Sequence, residues 1–243
     1  MLLRFSLLAL LHAALLCAEP RLANLDSIIE ATRKAFQVPG VAVGIVHKDQ
    51  LIYAKGFGTR ELDENRPVSG DTRFAIGSTT KAFTTAALGI LVDEGKLQWD
   101  DPVRKHLPYF KLSDPLADAN VTIRDIVSHR TGLSRHDLLW YNSPLSREEI
   151  IQRISLVPLT KPFRSAYLYQ NIMFLTAGEV VRAASGSASW EEFVGKRIFE
   201  PLGMRNSDFT VSKAQRAPDV ALPYELRSRE VTRVPWMNID NIG

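Results

Sequence analysis

The pattern of apolar and polar positions predicts a helix, then two strands, then a long and mostly helical stretch. Leu22, Leu25, Ile28, Ile29 and Phe36 recur at helical spacing, and Pro39-Gly40 stops that pattern. Residues 41–47 and 51–57 read as strands separated by Lys48-Asp49-Gln50, an antiparallel hairpin. The polar stretch 61–71 reads as a loop. A strand-like run then ends at Gly77, and a helix pattern runs from Ser78 to about Glu94, with Gly95 as its stop. A short helix is expected at 122–129. Ser146-Arg147-Glu148-Glu149 is a capping box that leads into 150–156. An apolar helix is expected over 171–185, closed by Gly186, and Ser189-Trp190-Glu191-Glu192 is a second capping box. Residues 210–243 read as irregular or partly β.

This order predicts an α+β chain. Residues 22–77 would form a helix and the strands of an antiparallel sheet lobe. Residues 78–215 would form a helical lobe, and 216–243 an irregular return toward the sheet, with the site in the groove between the lobes. A lone hairpin is marginal in water, so the sheet looks incomplete within these residues.

The first 18 residues change the picture. Arg4 precedes an apolar run from Phe5 to Leu16, which is too short to span a bilayer, and Leu16-Cys17-Ala18 is a plausible cleavage site. This predicts a signal peptide over 1–18 and an exported protein, periplasmic or secreted, without a stable membrane span after cleavage. Cys17 is the one cysteine of the chain, so cleavage after Ala18 leaves neither a disulfide nor a cysteine metal site. Of 243 residues 45% are hydrophobic and 23% charged, ordinary values for a protein with a large core. A net charge of +3 without a basic run lends no support to a nucleic-acid partner. No His-Glu-x-x-His, Gly-x-Ser-x-Gly or Gly-x-x-x-x-Gly-Lys occurs, so no metal or cofactor is expected.

The chemistry concentrates at Ser78-Thr79-Thr80-Lys81. Positions i and i+3 share a helix face, so the Ser78 hydroxyl and the Lys81 amine can meet. A serine attacks a carbonyl only after a base takes its proton, and a lysine serves as that base only where burial or a neighbouring cation favours the free amine. Apolar Phe74, Ile76, Phe83, Ala86, Ala87 and Leu88 suggest such burial. The bland alternative is an N-capping serine with a solvated lysine one turn on. A second candidate is Tyr169-Gln170-Asn171, just before the apolar helix. A tyrosine can relay a proton and an asparagine can bind a substrate amide. The alternative there is a packed aromatic and a helix cap.

These are the only Ser-x-x-Lys and Tyr-x-Asn of the chain. In their order and separation the sequence resembles the penicillin-recognising serine hydrolases. Within them it is most similar to the group of class C β-lactamases, D-alanyl-D-alanine carboxypeptidases and related esterases. Phe74–Lys81, the segment 91–103, His129-Arg130-Thr131-Gly132-Leu133 and 198–204 resemble that family too, so the likeness runs from about Leu25 to the end. The resemblance implies a β-lactamase/transpeptidase-like fold and a serine hydrolase. Ser78 would be acylated by a β-lactam, a D-Ala peptide or an ester. Lys81 and Tyr169 would be its base and acid, with the choice of base open. Asn171 and Gln170 would bind substrate, and the Ser78 N–H would form half of an oxyanion hole.

Two departures accompany the likeness. The family's third motif, Lys/His-[Ser/Thr]-Gly, is not found after Asn171, and Arg130-Thr131-Gly132 reads instead as a helix C-terminus. The chain thus reads as truncated, and loss of one oxyanion donor would slow it by about 10²–10³. Pro162-Phe163 stands where Pro-Gly is usual, and Gln170 where serine is common. A reading from a different class is therefore a catalytically impaired relic that binds a peptidoglycan-like or protein ligand.

Overall fold

The computed structural model describes residues 22–237 and 239–242. The expected signal segment, 1–18, lies outside them. The chain divides into two compact units. One comprises the residues up to Thr72 with Ala221–Val234, the other Arg73–Val220 with the residues from Pro235 on. Residues 73–77 thus fall with the helices.

The first unit begins with α1 (Leu25–Ala35) and the antiparallel strands β1 (Gly40–His47) and β2 (Gln50–Glu61). Their register closes at His47 opposite Gln50, so Lys48-Asp49 is a two-residue turn with both φ positive, at 49° and 62°. That turn matches the right-handed strand twist. A two-residue strand β3 (Arg66–Pro67) extends the sheet to the order β1-β2-β3. Asp26 of α1 accepts hydrogen bonds from Tyr53 and Lys55 of β2, each at 2.7 Å, and so ties helix to sheet. A second hairpin, β4 (Tyr224–Arg227) with β5 (Glu230–Arg233), forms its own two-stranded sheet. The sequence pattern showed it only as partly β. Its turn, Ser228-Arg229, has both φ positive without the Gly or Asn that advertises such a turn.

The second unit holds the helices. The strand-like run before Gly77 is not a strand here: only Arg73 makes an isolated bridge, to Val220. Phe74 and Ile76 are exposed, 38% and 51%, contrary to the burial expected of them. A 3₁₀ turn, Gly77–Thr79, leads into α2 (Thr80–Asp93), so Ser78 precedes the α-helix by two residues rather than starting it. There follow α3 (Val103–His106), α4 (Pro115–Asn120), α5 (Ile123–Val127), α6 (Arg147–Arg153), α7 (Asn171–Ser185), α8 (Trp190–Val194) and α9 (Val211–Ala214). Thr122 and Ser146 form reciprocal capping boxes with Asp125 and Glu149. Ser189 caps α8, but Glu192 reaches the N–H of Ala188 rather than that of Ser189, so the second expected box is not reciprocal.

Helix α7 is the centre of this unit. It is buried almost without break from Asn171 to Val181, and α2, α3, α5, α6 and α8 pack on it. A helix apolar on most of its circumference belongs inside a core. Leu88, Leu91, Ile123, Ile126 and Ile151 fill the space around it, each fully buried. No helix of the described residues is long and apolar enough to cross a membrane.

Candidate active site

Two helix starts meet where α2 packs on α7. The 3₁₀ turn carries Ser78, the first turn of α2 carries Lys81, and the residues entering α7 are Tyr169, Gln170 and Asn171. The Lys81 Nζ donates to Ser78 Oγ at 3.1 Å and to Asn171 Oδ1 at 2.8 Å. The Tyr169 hydroxyl donates to Ser78 Oγ at 2.5 Å. One oxygen therefore sits within hydrogen-bond reach of two groups able to exchange protons, across 91 residues of chain. The N-cap positions of the 3₁₀ turn and of α2 are Ile76 and Thr79, so Ser78 stands at neither, in contrast to the bland reading of this serine. Its hydroxyl is exposed and its partners are half-buried, so a substrate has access to it.

Tyr169 stands among cations and aromatic rings. Lys81 Nζ lies 4.7 Å and the Arg135 guanidinium 5.3 Å from its ring centre, and the His129 ring 4.6 Å. Burial, the largest single influence, pushes the phenol's pKa up. Hydrogen bonds with Lys81 and Ser78 and the charges of Lys81 and Arg135 outweigh it, so Tyr169 is held below the ordinary tyrosine value. His129 is buried, and burial first and the Lys81 charge second lower its pKa. Its Nδ1 accepts the Gln170 N–H at 3.1 Å and fixes the strand of chain that presents Tyr169.

Asn171 is buried and engaged at both ends of its amide. Its Oδ1 faces Lys81, and its Nδ2 donates to Asp137 Oδ1 at 3.3 Å. Gln170 stands apart from the other expected site residues. It is fully buried; its Oε1 caps α7 by accepting the Ile172 N–H at 2.8 Å, and its Nε2 donates to the Ser134 carbonyl. Both ends of its amide thus serve the chain around the start of α7, and its place is that of a helix cap. Arg130-Thr131-Gly132 lies in the loop just after α5. The Gly132 carbonyl accepts from Thr160 and Lys161, and Arg130 pairs with Asp125 at 2.5 Å.

His129, Arg135 and Asp137 were not singled out as site residues from the sequence. Their signal lies in contacts that span 34 to 41 residues, which no local pattern displays. Among the described residues no group of three or more His, Cys, Asp or Glu is arranged to hold a metal. What the arrangement can do is activate a serine hydroxyl with a tyrosine and a lysine.

Known proteins share this framework. The beta-lactamase family model matches residues 25–238. The unguisins hydrolase ungD' of Aspergillus campestris is 34% identical over 197 residues, which cover 77% of this chain and 36% of that protein. Protein flp of Staphylococcus aureus is 26% identical over 221 residues, covering 89% of this chain and 44% of that one. The octameric penicillin-binding protein homologue from Pyrococcus abyssi superposes with a TM-score of 0.73 at 29% identity, over 89% of this chain and 51% of its own. The chain spans less than half the length of these two curated relatives.

Proposed function

The chain belongs to the beta-lactamase family, and from that premise we propose that it is an exported serine hydrolase that forms an acyl-enzyme on Ser78. The observation that carries this reading is the convergence of Lys81 Nζ and the Tyr169 hydroxyl on one exposed serine oxygen. Tyr169, as phenolate, takes the Ser78 proton while Oγ attacks the substrate carbonyl. The lowered pKa of the phenol favours it for this step. Lys81 holds Tyr169, Ser78 and Asn171 in register. The protonated Tyr169 then gives its proton to the leaving group, and water releases the acyl chain by the reverse route. The first backbone N–H groups of a helical run lack intrahelical acceptors, and that of Ser78 serves as one oxyanion donor.

The substrate is an ester, an amide or a lactam whose carbonyl reaches the exposed Ser78. The name of the Aspergillus relative speaks for hydrolysis of an unguisin by that protein, and the Pyrococcus relative is called a penicillin-binding protein homologue, so peptide-like acyl donors lead the search. Export rests on the pattern of 1–18, and N-terminal sequencing of secreted protein should start near Glu19.

Incubation with a fluorophosphonate and separately with a penicillin, followed by intact mass, tests the reading. One adduct on the wild type and none on Ser78→Ala is expected. A folded chain that takes no adduct from either reagent would overturn it.

A further inference from the structure

The site's contacts form a closed ring. Ser78 touches Lys81, Lys81 touches Asn171, and Asn171 touches Asp137. Asp137 Oδ2 accepts from Arg135 Nε at 2.8 Å and forms an ion pair with its terminal nitrogen at 2.8 Å. The Arg135 guanidinium lies 5.3 Å from the Tyr169 ring centre, and Tyr169 returns to Ser78. Asp137 is itself anchored, because Trp140, a buried residue of the core, donates its indole N–H to Oδ1 at 3.1 Å. An exposed arginine on a loop would ordinarily lose more rotamer freedom than it gains from lying against a ring. Here the carboxylate that positions it is held by the core and by Asn171.

We propose that Arg135, clamped by Asp137, is a positioning residue that holds Tyr169 in line with Ser78 and favours its ionised form. The inference rests on the acyl-enzyme reading above and adds a loop that the Ser-x-x-Lys and Tyr-x-Asn motifs do not include. A cation beside a phenol stabilises the phenolate, and a planar guanidinium also fixes the ring's tilt. The other groups that face Tyr169 are Lys81 and Ser78 from α2 and its preceding turn, and His129 from just after α5. His129 accepts the Gln170 N–H at its Nδ1, and the cations at the ring are Lys81 and Arg135. The Asp137 carboxylate tempers Arg135 without cancelling it, since Arg135 is among the groups that lower Tyr169.

The test measures Tyr169 directly, independent of turnover. In protein labelled with carbon-13 at the tyrosine ring carbon bearing the hydroxyl, the Tyr169 signal is assigned by its loss in Tyr169→Phe. Its ionisation midpoint should move up in Arg135→Gln and return most of the way in Arg135→Lys, which restores charge but not the planar fork. Fluorophosphonate labelling of Ser78 should slow about five- to tenfold in Arg135→Gln, the scale of one cation–π contact. Asp137→Asn keeps an acceptor for Asn171 and Trp140 but releases Arg135, and should slow labelling comparably. A Tyr169 midpoint unchanged in folded Arg135→Gln overturns the inference, as does wild-type labelling in Asp137→Asn. If the wild type takes no label at all, the acyl-enzyme reading fails, and the midpoint still decides whether Arg135 acts on Tyr169.

Discussion

Tyr169 is where the charges of the site converge, and it sets how the site should respond to pH. A base works in its deprotonated form, so acylation rises as pH climbs through the pKa of the phenol. Holding that pKa below the ordinary value moves the rise to lower pH. Tyr169→Phe keeps the ring against His129 but removes the proton carrier. It should leave the unfolding transition in place, slow Ser78 labelling by about 10²–10⁴, and abolish the acid limb. Labelling at the wild-type rate would move the base to Lys81. A different residue shows how tightly the chain around the site is held. Gly132 has φ of +87°, and a Cβ there would lie 2.3 Å from the Lys161 carbonyl oxygen. Gly132→Ala combines a left-handed backbone with a backbone clash, and should lower the unfolding free energy by about 3 kcal/mol in a urea titration. An unchanged midpoint would mean that the 159–161 segment yields freely.

The elements were legible in proportion to how local their signals are. Helix α7 occupies 171–185 as its apolar period and Gly186 predicted, because Gly186 takes the left-handed stop at φ of 72° that a C-terminal glycine announces. The capping box at Ser146 marked the start of α6 for the same reason. The strand expected up to Gly77 failed because Phe74 and Ile76 stay exposed and only Arg73 finds a bridge. The β4–β5 hairpin was hidden by a Ser-Arg turn. At the site, Ser78, Lys81, Tyr169 and Asn171 were readable as spaced motifs, whereas Arg135 and Asp137 are joined to them only through the fold. Gln170, read as a substrate contact because it lies between Tyr169 and Asn171, places its buried amide at the start of α7 as a cap. Gln170→Ala should therefore cost about 1–2 kcal/mol in urea unfolding, as loss of a helix cap does. It should also slow labelling, since Tyr169 and Asn171 flank the loosened turn. Full stability with slowed labelling would return Gln170 to the substrate.

At the scale of the whole molecule, the native state is held against acid by a few buried carboxylates. Asp125 is fully buried; burial pushes its pKa up, but Arg164, the Thr122 backbone and hydroxyl, and Arg130 outweigh that and hold it at about 2. Asp101 is likewise held at about 2, against burial, by Lys105, the Gln98 N–H and His106. These pKa values lie below those of the unfolded chain, near 3.9 for aspartate, so the stability they confer is complete above about pH 4 and lost as pH falls through 2. Each shift corresponds to about 2 kcal/mol at neutral pH, of which roughly 1 kcal/mol is gone by pH 3. The urea midpoint should therefore be flat from pH 7 to 5 and fall between pH 4 and 3. Asp125→Asn should lose stability at pH 7, because Arg130 and Arg164 keep their charge beside a neutral amide, and should show a smaller drop between pH 4 and 3 than the wild type. An equal drop in both proteins would mean that Asp125 titrates normally in the fold and that other carboxylates carry the acid response.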